Sequence, residues 1–192
     1  MGQGQEQRGR CRRRRRGRIG MVAAATVSAG AMAASAQASD FDRKALADAL
    51  DDEYRAEATY QAVIDRFGEV RPFINIIRAE QRHADMVKQQ YTRLGIAAPA
   101  NPYLGKIAAP ASMLEACEQG VTAEIENIAL YDELLPKIGD PQVRATLERL
   151  QAASRDRHLP AFQRCVERGG TPGRGPGAGR GRGGGGGDWW DQ

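Results

Sequence analysis

The sequence predicts an all-α protein: a four-helix bundle made of two antiparallel helical hairpins, with one long connection between helices two and three. Apolar residues recur at helical spacing through residues 39–168, helix-capping and helix-ending residues divide this span into four, and no segment shows sustained alternation of apolar and polar residues. Short turns make the helices of each hairpin antiparallel neighbours. An up-and-down bundle with a loop packed over one end is the alternative.

The first hairpin is bounded by residues that start and stop helices. Helix one is predicted to begin with Asp40 as its N-cap and to end before Gly68. Pro72 suits the first turn of helix two, which stops at Gly95. Only a few residues join the two helices, so they are expected to pack side by side.

The second hairpin is bounded in the same way. Ser112 followed by Glu115 is a capping-box pattern that opens helix three, and Asp140 with Pro141 caps and starts helix four. A Pro- and Ala-rich connection lies between the hairpins, from residue 96 to residue 110. It is long enough to cross the length of a bundle.

The first 38 residues are predicted to be a secretory signal peptide. An arginine-rich segment and a weakly apolar stretch lead to Ala36-Gln37-Ala38, a pattern typical of cleavage after Ala38. Consecutive arginines also resemble a twin-arginine signal, and the general secretory route stays open. We therefore expect an exported protein, periplasmic or extracellular. Because the apolar stretch holds many Gly, Ser and Thr, we expect no stable membrane anchor after cleavage. An uncleaved anchor is the alternative.

The mature chain divides into a folded unit, residues 39–168, and a tail, residues 169–192. The tail is almost all Gly, Arg and Pro up to Gly187, a composition that predicts disorder. Residues 39–192 hold 20 basic and 23 acidic side chains. This body lacks the basic charge that nucleic-acid binding requires, so we expect no nucleic-acid partner. RNA binding through the Arg-Gly tail is the alternative.

Acidic and histidine side chains interrupt the apolar stripes of the predicted helices. Buried carboxylates are costly unless they are paired or coordinated, and a divalent cation is a compact counter-charge. A single such residue is commonly a rim or core side chain, so the metal hypothesis depends on several of them meeting at one level. The candidate ligands are Glu53, Glu57, Glu80, His83, Glu124 and His158.

The two hairpins look like copies of each other. Glu53 and Tyr60 have the same spacing as Glu124 and Tyr131, and a glycine follows each tyrosine after eight residues. Each second helix supplies one of the chain's two histidines. A glutamate from each first helix and a Glu-x-x-His from each second helix form the ligand set of carboxylate-bridged dinuclear sites. The two tyrosines are predicted to be core residues that hydrogen-bond a buried carboxylate.

Three segments, residues 53–60, 79–84 and 124–131, resemble the ligand helices of rubrerythrin and other ferritin-like proteins. More widely, residues 46–166 resemble an exported bacterial family of ferritin-like proteins whose function is unassigned. The resemblance implies a ferritin-like four-helix bundle that binds iron, one or two ions per chain. It does not fix an activity, because the fold hosts oxidases, peroxidases, iron stores and metal-free relatives. The ligands that it implies are Glu53, Glu80, His83, Glu124 and His158.

Helix four departs from the ligand pattern. The pattern requires a glutamate three residues before His158, and this chain has Arg155. Two divalent ions with three carboxylates and an inward arginine would leave about two positive charges uncompensated, whereas one ion would be neutral. We therefore hypothesise that the guanidinium of Arg155 pairs with Glu124 in place of a second cation.

On this hypothesis a single metal ion is held mainly by Glu53, Glu80 and His83. Glu57, one helical turn beyond Glu53, is a spare carboxylate that would restore a dinuclear site. A solvent-facing arginine is the alternative interpretation of Arg155. In that case the charge argument against a second ion disappears.

The position of His158 along helix four is a second departure. From Gly68 to His83 is 15 residues, whereas from Gly139 to His158 is 19, which is about one helical turn more. His158 is therefore expected to lie off the level of the other ligands. Pro160, just beyond it, is expected to kink the helix.

Only Cys117 and Cys165 remain after signal cleavage. The first lies early in helix three and the second late in helix four, so an antiparallel hairpin brings them to the same end. In an oxidising compartment, a disulfide is the natural interpretation.

Together these features predict an exported, metal-binding, ferritin-like bundle, with iron as the metal. Oxidase or peroxide-reducing activity is expected if a second ion or an open coordination position exists. No second, cysteine-rich metal centre accompanies the bundle, so turnover would need an external reductant. The rival hypothesis is a structural or binding bundle with no cofactor, in which Arg155 and the carboxylates form a buried salt-bridge network.

Overall fold

The computed structural model describes residues 38–172, and throughout this range the regular structure is helical. The predicted all-α fold is therefore confirmed. The predicted signal peptide, apart from Ala38, and the predicted tail beyond Pro172 lie outside the described residues. None of the helices in the described range combines the length and the hydropathy that a membrane span requires.

Four helical rods make up the described chain. The third ends in a short 3-10 turn, Leu135–Lys137, and the fourth is divided by a π-helical turn, Ser154–His158. The helices are α1 Asp40–Phe67, α2 Phe73–Arg93, α3 Met113–Leu134, α4 Pro141–Ala153 and α5 Leu159–Glu167. Because α4, the π-helical turn and α5 follow one another without a break, they form one rod.

The predicted caps of α3 and α4 are present, and that of α1 is displaced by one residue. Ser39, and not Asp40, is the N-cap of α1: its hydroxyl accepts a hydrogen bond from the backbone N–H of Asp42, and the Asp42 carboxylate accepts one from the Ser39 N–H. Ser112 caps α3 and Asp140 caps α4, each with its side-chain oxygen. These caps satisfy backbone donors that the first turn of a helix leaves free.

The boundaries of α2 differ slightly from the prediction. Pro72 precedes the helix as its N-cap residue and is not part of its first turn, so the helix begins at Phe73. The helix ends at Arg93, two residues before Gly95. Gly95 has a φ of 69°, in the left-handed region where glycine is favoured, and the chain leaves the helix there.

Polar side chains divide the core into two apolar clusters. One cluster is built around Leu46, Leu50, Leu147 and Leu150, and the other around Tyr60, Phe73, Ile76 and Phe162. On every rod, buried or nearly buried polar residues lie between the two clusters. They are Glu53 on α1, Glu80 and His83 on α2, Glu124 and Asn127 on α3, and Ser154 and His158 in the π-helical turn.

The long connection between α2 and α3 packs along α1. Tyr54 donates a hydrogen bond from its hydroxyl to the carbonyl of Pro99, 2.9 Å away, and the hydroxyl of Tyr103 donates to Asp51 at 2.7 Å. Farther along α1, Arg66 donates to the carbonyl of Ala111 at 3.2 Å. The connection therefore follows α1 from its middle to its C-terminal end.

Candidate metal centre

The buried polar residues between the two apolar clusters form a polar layer. This layer contains two groups of three side chains that could each hold a metal ion. One group is Glu53, Glu80 and His83, and the other is Glu80, Glu124 and His158. Within each group, one candidate ligand atom from every residue lies within 4.8 Å of the others. Glu80 belongs to both groups, so its carboxylate stands between them.

Each oxygen of Glu80 faces one imidazole. Nδ1 of His83 lies 2.9 Å from Oε2 of Glu80, and Nδ1 of His158 lies 3.1 Å from Oε1. The two rings stack with centroids 5.5 Å apart and an angle of 28° between their planes. The remaining glutamates close the groups: Glu53 Oε2 is 3.4 Å from His83 Nδ1, and Glu124 Oε2 is 3.6 Å from His158 Nδ1.

Two tyrosines hydrogen-bond Glu53 and Glu124, the glutamates that each belong to one group only. The hydroxyl of Tyr60 donates to Oε1 of Glu124 at 3.0 Å, and the hydroxyl of Tyr131 donates to Oε1 of Glu53 at 3.1 Å. Burial raises the pKa of both phenols well above the usual value, and the neighbouring carboxylates raise it further, so both phenols stay protonated. Each tyrosine therefore fixes one oxygen of its glutamate and leaves the other directed at an imidazole.

The carboxylates hold both histidines in the protonated form when no cation is bound. Burial disfavours the charged imidazole of His83, but Glu53 and Glu80 outweigh it and raise the pKa to about 9. Burial also opposes the charge on His158, and there Glu80 and Glu124 raise the pKa to about 10. In the metal-free protein, the protons on the two imidazoles therefore supply positive charge that a bound cation would otherwise supply.

Burial and neighbouring charges shift the pKa values of the three glutamates in different directions. Burial raises the pKa of Glu53 to about 8, with a further contribution from Glu80. Burial would raise the pKa of Glu80 too, but His158 and His83 hold it well below its usual range. Burial and Glu80 raise the pKa of Glu124. Glu80 is therefore the carboxylate that carries the negative charge between the imidazoles.

The donor set and one unsatisfied atom fit a metal ligand role. Nδ1 of His158 is buried and makes no hydrogen bond to any described residue, although it lies 3.1 Å from Glu80 Oε1. Buried nitrogens of core histidines normally make a hydrogen bond, whereas a ligand nitrogen points at the ion. Imidazole nitrogen with carboxylate oxygen suits iron and other first-row divalent ions.

Arg155 does not enter the site. Its side chain is exposed, and the guanidinium binds the neighbouring Asp156, with Nε 3.0 Å from Oδ1. In a regular α-helix a residue three before His158 would share its face. The chain is instead π-helical from Ser154 to His158, which changes the phase of the helix, so His158 faces inward and Arg155 faces solvent. The hypothesis that Arg155 pairs with Glu124 in place of a second cation is wrong.

Glu57 is also outside the site. Its carboxylate accepts one hydrogen bond from Gln81 at 3.1 Å and another from Asn101 at 3.0 Å, so it ties α1 to α2 and to the long connection. Glu57 is four residues from Glu53 on one helix, but only Glu53 is fully turned into the layer. The prediction that Glu57 is a spare ligand is therefore not supported by its position, and the structure brings together the other five candidates.

His158 lies level with the other candidate ligands, contrary to the expectation from residue counting. The helix α4 begins two residues after Gly139, whereas α2 begins five residues after Gly68, so the two glycines are not equivalent reference points. The expected distortion near Pro160 takes the form of the π-helical turn, in which the Leu159 N–H donates to the Ser154 carbonyl. Proline has no N–H to donate, which favours a departure from α-helical bonding in the preceding turn.

Sequence reasoning missed two residues at this centre, Asp52 and Asn127. The amide nitrogen of Asn127 donates to the Asp52 carboxylate, which joins α1 to α3 beside the glutamates. Burial raises the pKa of Asp52 to about 6, against the effect of Asn127, and the charges of Glu80 and Glu124 add to the rise. The only sequence signal was the position of Asn127, which lies on the face of Glu124 three residues along.

The cysteines lie where the sequence placed them. Cys117 on α3 and Cys165 on α5 are at disulfide distance, with their Cα atoms 5.9 Å apart. Both are fully buried beside Phe162, in the apolar cluster on one side of the polar layer. A disulfide at this place is compatible with an oxidising compartment.

The comparisons with known proteins show a fold and name no function. No protein family matches the chain, and no curated protein matches it. The chain is similar to a hypothetical protein from Methanococcus jannaschii whose crystal structure is known, with a TM-score of 0.62 and 22% sequence identity. The match covers 69% of this chain and 83% of that one. A likeness at this level of identity concerns the fold alone.

Proposed function

We propose that this chain is a ferritin-like protein that binds two divalent metal ions, most suitably iron, between its four helical rods. The observation that carries the proposal is the position of Glu80 between two imidazoles, with one further glutamate beside each. This arrangement supplies five of the six protein ligands of a carboxylate-bridged pair of ions, and the glutamate that the fourth rod would contribute is absent. It replaces our sequence-based hypothesis of a single ion, because Arg155 supplies no charge at the centre.

The ferritin-like topology is supported by contacts between the helices. Glu53 of α1 meets Tyr131 of α3, and Tyr60 of α1 meets Glu124 of α3, so these two helices run in opposite directions. The connection between α2 and α3 follows α1 lengthwise. Two hairpins joined by a lengthwise connection are the arrangement of ferritin-like bundles.

Metal binding would release the protons that the two imidazoles and the Glu53 carboxyl hold, since burial raises the pKa of Glu53 to about 8. Both histidines must be neutral to coordinate through nitrogen, so uptake of metal and release of protons are coupled. Three glutamates and Asp52 together carry about four negative charges, which balance two divalent ions. Tyr60 and Tyr131 stay in place during this exchange, because each holds the oxygen of a glutamate that faces away from the imidazole.

Iron held at this centre would supply electrons for the reduction of oxygen or peroxide. The chain's own contribution is to orient the carboxylates, to keep water out of the apolar clusters on both sides, and to leave a cavity between α1 and α3 that reaches Glu53, Glu80 and Glu124. No cysteine-rich second centre is present in the sequence, so electrons for repeated turnover would come from another protein or small reductant.

Export is part of the proposal and rests on two features. The first 38 residues have the composition of a signal peptide. The pair Cys117 and Cys165 at disulfide distance suits the periplasm or the extracellular space.

A metal-free structural bundle is the second candidate. It is favoured by the network itself: two protonated imidazoles already offset the charge of the buried glutamates. The metal centre is favoured over it by the two groups of candidate ligand atoms, in each of which one atom from every residue lies within 4.8 Å of the others.

The test is metal analysis of a matched pair of variants. Glu53 and Glu57 lie one helical turn apart on α1, and only Glu53 is in the centre. We expect about two ions per chain in the wild type and in Glu57→Gln, and a loss of at least one ion in Glu53→Gln, measured by elemental analysis after dialysis against Co²⁺ or Fe²⁺. A wild-type protein that binds no ion and melts at the same temperature with and without chelator would establish the metal-free bundle instead.

A further inference from the structure

A cavity of about 100 Å³ lies between α1 and α3, beside the candidate metal centre. Its lining includes exposed side chains, Arg55, Gln119 and Glu126, and the three buried glutamates, Glu53, Glu80 and Glu124. The cavity therefore leads from the surface of the bundle to the carboxylates of the centre.

Asp52 and Asn127 also line this cavity and belong to neither ligand group. The amide nitrogen of Asn127 donates to the carboxylate of Asp52, which fixes both side chains across the gap between α1 and α3. The side chain of Asn127 is almost fully buried, with 6% of its surface exposed. Its carbonyl oxygen Oδ1 nevertheless has no hydrogen-bond partner among the described residues.

A buried amide oxygen without a partner requires an explanation, since native proteins satisfy nearly all such atoms. Because Asn127 already gives its N–H to Asp52, its free Oδ1 can only act as an acceptor or as a ligand. An oxygen of this kind, next to a carboxylate, is a good donor for a hard divalent cation that keeps several waters. The same cavity thus presents two oxygen donors beside the nitrogen-containing groups.

We propose that the Asp52 carboxylate and Oδ1 of Asn127 form an outer cation site, which takes up a divalent ion on its way through the cavity to Glu53, Glu80 and Glu124. This inference rests on the proposed function of the inner centre. The outer site offers oxygen alone and only two protein ligands, whereas the inner groups add an imidazole nitrogen. An ion is therefore held more weakly at the outer site and passes inward.

The charge balance of the metal centre also supports a role for Asp52 in binding cations. The three buried glutamates fall short of balancing two divalent ions by about one negative charge, and Asp52 is the neighbouring carboxylate that supplies it. Loss of Asp52 should therefore slow the uptake of cations without removing any ligand of the inner groups.

The rate of Co²⁺ uptake tests the outer site. Metal-free full-length protein is mixed with Co²⁺ in a stopped-flow spectrometer, and the visible absorption of Co²⁺ ligated by imidazole and carboxylate is followed. A unit charge attracts a divalent ion strongly enough, even across several ångströms of water, for its loss to change binding by roughly tenfold. We expect Asp52→Asn to load about tenfold more slowly than the wild type.

Two further variants separate the outer site from a general effect on charge or folding. Asp65→Asn removes the same charge from α1 at an exposed position that is bound to Gln61 and does not line the cavity, and it should load at the wild-type rate. The exchange Asp52→Asn with Asn127→Asp keeps one carboxylate and one amide at the outer site, and it should recover most of the lost rate. A merely structural role of Asp52 would not be rescued in this way.

The possible failures are distinguishable. If the wild type develops no Co²⁺ absorption, the proposed function is refuted, and the outer site with it. If the wild type loads and Asp52→Asn loads equally fast, the inner centre stands and the outer site alone is refuted. Equal slowing in Asp52→Asn and Asp65→Asn would also refute it, because the effect would then come from net charge and not from this place in the cavity.

Discussion

The substitution Glu80→Gln is predicted to remove both metal positions and to destabilise the metal-free protein. Gln has nearly the same volume as Glu, so the packing of α2 against its neighbours is kept. The change removes the charge that lies 2.9 Å from Nδ1 of His83 and 3.1 Å from Nδ1 of His158. Since Glu80 is the only member shared by the two groups, one substitution affects both.

The magnitude for the metal-free protein follows from the burial of these charges. Removing one partner of a buried ion pair typically costs about 3–5 kcal/mol, because the other charge is left uncompensated. For a folded unit of about 135 residues, 1 kcal/mol shifts the melting temperature by roughly 3–4 °C. We therefore expect Glu80→Gln to lower the melting temperature by roughly 10–18 °C in the presence of chelator.

The metal-dependent part is measured in the same melting experiment. At a free metal concentration about 100 times the dissociation constant, one bound ion stabilises the wild type by about 2.7 kcal/mol, or roughly 10 °C. Glu80→Gln should show none of this increase, and Glu57→Gln should show all of it. A Glu80→Gln protein that melts like the wild type in chelator, and that gains as much from added metal, would contradict the assignment of Glu80 as the shared residue.

Three further predictions concern pH, Arg155 and the disulfide. The metal-free protein should lose stability as the pH rises from about 6.5 to about 10. His83 and His158 have raised folded-state pKa values of about 9 and 10, and they stabilise the fold only while they are protonated. A melting temperature in chelator that does not fall across this pH range would contradict the buried network. The substitution Arg155→Ala should leave the number of bound ions unchanged, because the guanidinium binds exposed Asp156; an altered metal content in elemental analysis would restore an inward role for Arg155. The disulfide between Cys117 and Cys165 closes a loop of 48 residues. Its reduction should lower the free energy of unfolding by roughly 4 kcal/mol in denaturant titrations, without changing Co²⁺ stoichiometry. Two free thiols in the unreduced, denatured protein would show that no disulfide is present.

Much of the fold could be predicted because the signals for it are local. Ser112 and Asp140 cap helices through contacts with residues two or three positions away, and such contacts can be read from the sequence alone. The one-residue error at the start of α1 has the same origin: Ser39 and Asp40 are both good N-cap residues, and only the contact with Asp42 decides between them.

The positions of four candidate ligands could be predicted because two independent patterns coincide on them. Glu80 and His83 are three residues apart and share a helix face, and Glu53 and Glu124 occupy equivalent places in the repeat. Asp52 could not be predicted in this way, because it is adjacent to Glu53 and a helical pattern places it off the buried face. Only the approach of Asn127 from α3 turns its carboxylate toward the cavity.

The proposed second ion depends on helix geometry, which the motif alone does not contain. Arg155 takes the place of a glutamate, and with α-helical phase its charge would enter the layer and exclude a second cation. The π-helical turn turns Arg155 outward while His158 stays buried at 1% exposure, so the substitution removes a ligand without adding an opposing charge. In the proposed two-ion centre, Asp52 would supply, from the opposite side of the bundle, the negative charge that the missing glutamate would have carried. An argument from neutrality therefore depends on which residues face the centre, and these are set by the phase of one helix and by a contact between two others.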